Sequence, residues 1–154
     1  MEVRPLSHDA ILDICTWIYE GEYACYSEDS YESKVRRQAD ILNPEKKNQY
    51  LCFYDGDVLA AYAHLKKKDD ALMLGISVRP ELCGQGYGTE AIKLLKAMIL
   101  KQYSQMPLRL IVRSWNQRAI RCYQKAGFVV TGEKKLITPA GPGHFILMEM
   151  RTSA

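Results

Sequence analysis

No apolar run in this chain is long enough to cross a bilayer. The longest, Val58 to Ala63, has six residues, against about 20 for a membrane-spanning helix. A secretory signal is absent from the expected place: Glu2, Asp9 and Asp13 stand where a basic start and an apolar core are needed. Cysteine is scarce and odd in number, and Cys15, Cys25, Cys52, Cys83 and Cys122 match no zinc spacing. Free, mostly buried thiols in a reducing compartment are therefore expected, with no metal and a cytoplasmic location. Neither sign of charge dominates, since 21 basic side chains face 18 acidic ones for a net +3. That balance excludes the clustered basic face of a nucleic-acid binder but is compatible with a phosphorylated small ligand. Repeats, low-complexity tracts and long linkers are also missing.

What remains is an ordinary globular composition, 47% apolar and 25% charged over 154 residues, which suits one domain spanning 1–154. Glu2 to Pro5 reads as a strand, and Ser7 can cap a helix with Ile11, Ile14, Cys15 and Ile18 on one face. A second helix is predicted from about Ser33 to Leu42, closed by Asn43-Pro44. Tyr50–Tyr54 and Val58–Lys66 flank Asp55-Gly56, a hairpin signal, and Leu72–Val78 follows a polar turn at Asp69 and Asp70. Then come a helix from Gly88 to Gln102, a strand from Leu108 to Arg113, and a helix capped by Asn116 and ended by Gly127. Strands Phe128–Leu136 and Phe145–Met150 close the chain around a Pro/Gly-rich loop at 139–143. This order predicts a mixed α/β (α+β) fold, a sheet covered by helices rather than a purely parallel one.

The sharpest local signal runs from Val78 to Ala91, where a strand ends, Gly84, Gly86 and Gly88 alternate, and a helix begins. Glycines let the backbone approach a ligand, and a helix start adds free N–H groups with partial positive charge. Together they suit a pyrophosphate without a basic side chain. A dinucleotide fingerprint would want glycine at Thr89, and a nucleotide-binding phosphate loop would want a lysine before Thr89. Taken alone, the segment reads equally as a phosphate site or as a plain turn.

A second segment, Asn116-Gln117-Arg118-Ala119-Ile120-Arg121-Cys122-Tyr123-Gln124-Lys125-Ala126-Gly127-Phe128, lies about thirty residues on, beyond one helix and one strand. The pair of motifs, and the element order of the whole chain, resembles the GNAT superfamily of acyl-CoA-dependent N-acyltransferases. That resemblance implies a largely antiparallel central sheet of six to seven strands with about four helices. It also implies acetyl-CoA as co-substrate and an amine acceptor, either a small molecule or a peptide. The chain departs from the family at Cys83, where Arg or Gln usually opens the glycine motif; a packing cysteine and a functional thiol are the two readings.

By the same resemblance, the cofactor would be held by Cys83, Gly84, Gln85, Gly86, Tyr87, Gly88 and Thr89 around the pyrophosphate. Ile76, Ser77 and Val78 would pair with the pantetheine like an added strand. Asn116, Ala119, Tyr123 and Lys125 would complete the cofactor set. Gly75 suggests a bulge or splay that opens a thioester slot, and a backbone N–H near Val78 would stabilise the oxyanion. Tyr123 would act as general acid for the leaving thiolate, with an ordinary core aromatic as the alternative.

The general base is a gap, because Leu72–Val78 contains no Asp, Glu or His. A lysine-like amine of pKa ~10.4 costs about 4.6 kcal/mol to deprotonate at pH 7, a peptide α-amine only about 1. His64 and His144 qualify by residue type alone. Tyr19 to Ser33 holds four tyrosines, five acids and no basic residue, so Glu20, Glu22, Tyr23 and Tyr26 become candidates for binding a cationic acceptor, with a solvated loop as the alternative. A non-catalytic acyl-CoA sensor is the other functional class. Nothing in the sequence decides between monomer and homodimer.

Overall fold

The computed structural model describes residues 1–102 and 106–151. Seven strands form one sheet in the order β1-β2-β3-β4-β5-β7-β6, mostly antiparallel, with four α-helices and several short 3-10 turns. The chain forms two compact units. One contains Met1–His64 and Ile76–Tyr87; the other contains Leu65–Gly75 and the described residues from Gly88 onward.

In the first unit, β1 (Glu2–Pro5) pairs antiparallel with β2 (Tyr50–Asp55), and β2 with β3 (Val58–Lys68), whose last residues belong to the second unit. Asp55 pairs with Val58, so the hairpin turn is Gly56-Asp57, one residue later than expected, with Gly56 at φ +61. Helix α1 (His8–Ile14) is capped by the Ser7 side chain, as predicted. Its apolar face is shorter than the sequence suggested, because Thr16 and Trp17 donate their N–H groups three residues back and tighten the chain. Trp17 thereby takes the inward position, and Ile18 is 58% exposed. Leu6, Ala10, Ile14, Trp17, Ile41 and Leu59 anchor the core.

The second helix also differs from expectation. The Ser30 side chain caps α2 (Tyr31–Arg36) early, and Gln38 at φ +53 breaks the helix before Leu42. Asp40–Leu42 is a separate 3-10 turn, and Asn43 caps the next one, Pro44–Gln49, instead of ending a helix.

In the second unit, β4 (Ala71–Val78, its last three residues in the first unit) runs parallel to β5 (Leu108–Arg113) through the pairs Leu72–Leu108 and Met73–Arg109. Helix α3 (Tyr87–Gln102) buries Ala91, Ile92, Leu95 and Ile99, residues at helical spacing. Helix α4 (Gln117–Ala126) leads into β6 (Val129–Thr138) and β7 (Gly141–Met150), which pair with each other while β7 also pairs with β5. The expected loop at 139–143 contracts to a two-residue turn. Gly141, at φ +106, pairs with Thr138, and β7 begins there.

Candidate functional site

The end of β4 and the turn after it are built from a short stretch of chain whose base is held on several sides. Ile76, Ser77 and Val78 are half-buried. The Tyr19 hydroxyl donates to the Val78 carbonyl. The Arg79 N–H donates to the Ala60 carbonyl at 2.8 Å, and its guanidinium bonds the Leu59 carbonyl and Asp13. The Cys83 thiol, half-buried, lies 3.8 and 3.6 Å from the carbonyl oxygens of Val78 and Arg79. This sulfur faces the backbone of its own turn.

Beyond that base the turn is open. Gly84 and Gly86 have φ of +78 and +88, and a Cβ at either would meet nothing within 4 Å. Gln85 is exposed and its amide donates to the Glu81 carbonyl at 3.2 Å. Tyr87 starts α3 and its hydroxyl donates to Asp55. The first turn of α3 begins at Tyr87, where a helix directs its backbone N–H groups outward from its start. Backbone donors, two left-handed glycines and a long helix's start are thus concentrated where no basic side chain stands between Glu81 and Thr89.

The residues expected on α4 fall within the second unit. Asn116 is 6% exposed, and its Oδ1 accepts from the Ala119 N–H at 3.1 Å, so this side chain is the helix cap. Ala119 is half-buried. Tyr123 is half-buried with its ring edge-on to Phe128, centroids 5.9 Å apart. Lys125 is exposed in the last turn. Gly127 ends the helix at φ +111, a left-handed angle that favours glycine, and a Cβ there would press on Met150 Sδ at 3.1 Å. The Thr89 hydroxyl and Cys122 thiol are 3.4 Å apart.

The acidic connection before α2 departs most from expectation. Glu20, Glu22 and Tyr26 are exposed around a 3-10 turn (Gly21–Tyr26), and Tyr23 is half-buried. Glu28 and Asp29 point inward instead. Lys34, 1% exposed, donates to Glu28 at 2.9 Å and to Asp29 at 2.6 Å. Arg37 binds Asp29 through two nitrogens at 2.8 and 3.0 Å. The segment has no basic residue of its own, but α2 and its C-terminal cap supply two, Lys34 and Arg37. Of the five acids, Glu20, Glu22 and Glu32 remain exposed to solvent.

On the other side of Glu28, the Tyr62 hydroxyl donates to Oε2 at 2.7 Å, and Ser77 lies close enough to that hydroxyl to interact with it. Glu28, Lys34, Arg37, Asp40, Tyr50 and Tyr62 line a cleft of about 430 Å³ in the first unit. Arg37, then Lys34 and Ser33, hold the Asp29 carboxyl well below the usual carboxylate range. Burial pushes Tyr50 up to about 12, and burial with the adjacent Glu28 raises Tyr62 well above an ordinary phenol. The two candidate histidines have their own partners: His64 bonds Gln49 at 2.8 Å and stacks on Tyr50, while His144 bonds Glu133 at 3.1 Å. Sequence reading missed Tyr19, Lys34 and Tyr62, whose partners lie 59, 5–6 and 34 residues away. Only Lys34 carried a signal, as a lysine beside a run of acids.

The cysteines are less buried than expected. Cys52 alone is buried, Cys25 is exposed, and the other three are intermediate; none of the five is in a disulfide. No helix among the described residues is long and apolar enough to cross a membrane.

Comparison with known proteins adds two findings. The family model described as Acetyltransferase (GNAT) family matches residues 11–128. Solved structures of similar fold include the ribosomal-protein-S18-alanine N-acetyltransferase of Escherichia coli, with TM-score 0.69, 20% identity and coverage of 99% of this chain and 94% of that one. A spermidine N-acetyltransferase chimera from Vibrio cholerae has TM-score 0.76, 17% identity and coverage of 98% and 94%. An AAC(6')-Ib complex with paromomycin and acetyl-CoA has TM-score 0.69, 17% identity and coverage of 94% and 90%. A search of curated protein sequences gave no match.

Proposed function

Since this chain belongs to the GNAT acetyltransferase family, we propose that it transfers the acetyl group of acetyl-CoA to a primary amine, acting as one domain over 1–154. The observation that carries the reading is the open glycine turn, where Gly84 and Gly86 leave space that no protein atom fills. A pyrophosphate approaching there would meet backbone N–H groups from Gln85 to Thr89 and the positive end of α3. The absence of Arg or Gln at Cys83 matters little in this scheme, because the donors are main-chain.

The pantetheine would add along Ile76–Val78 as an extra strand, with Asn116, Ala119 and Lys125 as further cofactor residues. Asn116 contributes by fixing the start of α4 rather than through a free amide oxygen. The amine nitrogen attacks the thioester carbonyl, a backbone N–H near Val78 stabilises the oxyanion, and Tyr123 protonates the departing thiolate. The structural neighbours are named for a polyamine, an aminoglycoside complex and an alanine of a ribosomal protein, so the fold does not select among amines. The exposed Glu20 and Glu22, with Tyr23 and Tyr26, favour a cationic acceptor, and the Tyr19 bond to Val78 ties this connection to the strand end in the first unit.

The deciding measurement is release of free CoA thiol from acetyl-CoA against polyamines, aminoglycosides, amino acids and peptides. Acceptor-dependent release with an acetylated amine as product is expected. Tight acetyl-CoA binding with no release on any amine would replace the enzyme by an acyl-CoA sensor.

A further inference from the structure

The strand that should present the thioester, β4, has no proton acceptor of its own, yet its Ser77 lies beside a hydrogen-bonded pair whose polarity is fixed. Glu28 accepts on both oxygens, from Lys34 on one and Tyr62 on the other. The carboxylate beside a lysine ammonium has no proton to give, so Tyr62 must be the donor in their 2.7 Å bond. The Tyr62 oxygen can then only accept on its other side, where the Ser77 hydroxyl is its partner and an incoming N–H would take that hydroxyl's place. A group in that state accepts from an N–H and repels nothing cationic.

We propose that Tyr62, oriented and polarised by Glu28, is the acceptor amine's docking and deprotonation group, with the cleft beside it as the amine's approach. This rests on the acetyl-transfer reading above. The amine donates an N–H to Tyr62 Oη. As the nitrogen bonds to the thioester carbonyl carbon and becomes positively charged, its proton passes to Oη while the Tyr62 proton passes to Glu28 Oε2. The tetrahedral intermediate then expels the CoA thiolate, which takes up a proton as proposed for Tyr123; Glu28 returns its proton to solvent and Tyr123 regains one from it. Tyr62 is never a phenolate in this sequence, which agrees with the high pKa that burial and Glu28 give it. Lys34 stays compensated when Glu28 is neutral, because Asp29 holds it at 2.6 Å and is itself held by Arg37.

The charged and titratable groups around Glu28 are Lys34 on α2, Arg37 at its C-terminal cap, Asp29 beside it, Tyr50 on β2, Tyr62 on β3 and Cys15 after α1. Tyr62→Phe leaves all of the ion pairs in place and is the cleaner probe. Glu28→Gln is the second, with folding checked by circular dichroism. With an acceptor found active for the wild-type chain, Tyr62→Phe should lower kcat at pH 7 by about 10²-fold, within the usual range for losing a proton-transfer group, with the KM for acetyl-CoA unchanged. The defect should shrink as pH rises and as the amine's own pKa falls, since less help with deprotonation is then needed; a packing role would give one constant factor. Wild-type turnover in Tyr62→Phe, or a loss equal at every pH and for every amine, would overturn the assignment. A wild-type chain inactive on all amines would instead remove the acetyl-transfer reading, and this assignment with it.

Discussion

Gly86 concentrates the cofactor argument at one backbone angle. At φ +88 an L side chain is strained, and its Cβ would project into the space where a phosphate would approach. Gly86→Val should therefore weaken acetyl-CoA binding by about 10²-fold or more, read by calorimetry on protein whose circular dichroism is native. Unchanged affinity would take the turn out of the site. Tyr123 makes the complementary case, since its hydroxyl and not its ring is in question. Tyr123→Phe keeps the edge contact with Phe128 and should lower kcat by about 10²–10⁴ with cofactor affinity nearly intact; turnover equal to wild type would leave it a packing residue. Both positions were nominated from the sequence because each lies in a motif local to the chain. Tyr62 was not, because its meaning comes from a carboxylate 34 residues earlier and a serine 15 residues later, and no periodicity reports such a meeting.

Whole elements were most legible where their signals were local. The boundaries of β5 and of α4, with its Asn116 cap and Gly127 stop, match the sequence reading because cap, periodicity and C-terminal glycine agree. The stretch from Thr16 to Gln49 failed where 3-10 turns replace α-helix: a change from fourth- to third-residue bonding rotates the buried face without altering composition. The same stretch contains the acidic connection, whose charge is smaller than its composition suggests because Lys34 and Arg37 neutralise Glu28 and Asp29. The acids that can act on a solvent-borne cation are those left exposed. Changing Glu20 and Glu22 together to Gln should raise KM for cationic amines several-fold at low salt and less at high salt, as expected for exposed charges. Equal treatment of cationic and neutral amines would end the role of this connection in selection.

For the whole molecule, stability should have an acid and an alkaline limit with different owners. Asp29 titrates well below its ordinary 3.8 in the folded chain, so its stabilising contribution is complete above that pH and is lost as pH falls beneath it. Cys52 and Tyr50 rise by burial to about 11 and about 12. Their contribution is intact below the ordinary values of 9 and 10 and disappears as pH climbs through the raised ones. Thermal melts across pH should show a plateau between these limits. Asp29→Asn should lower the plateau and flatten the acid limb, and Tyr50→Phe should flatten the alkaline limb. An acid limb that keeps its shape in Asp29→Asn would assign it to other carboxylates.

Each compact unit takes two separate stretches of chain, and the polypeptide passes from one to the other after His64, after Gly75 and after Tyr87. Any single cut therefore divides at least one unit. A crossover at one point in the gene could not exchange either unit intact. The acidic connection and Gly84 and Gly86 of the glycine turn share a unit although more than 40 residues separate them. Variants assembled by swapping chain ends with a relative would mix parts of both units, whereas grafting 65–75 together with everything from 88 onward would respect them.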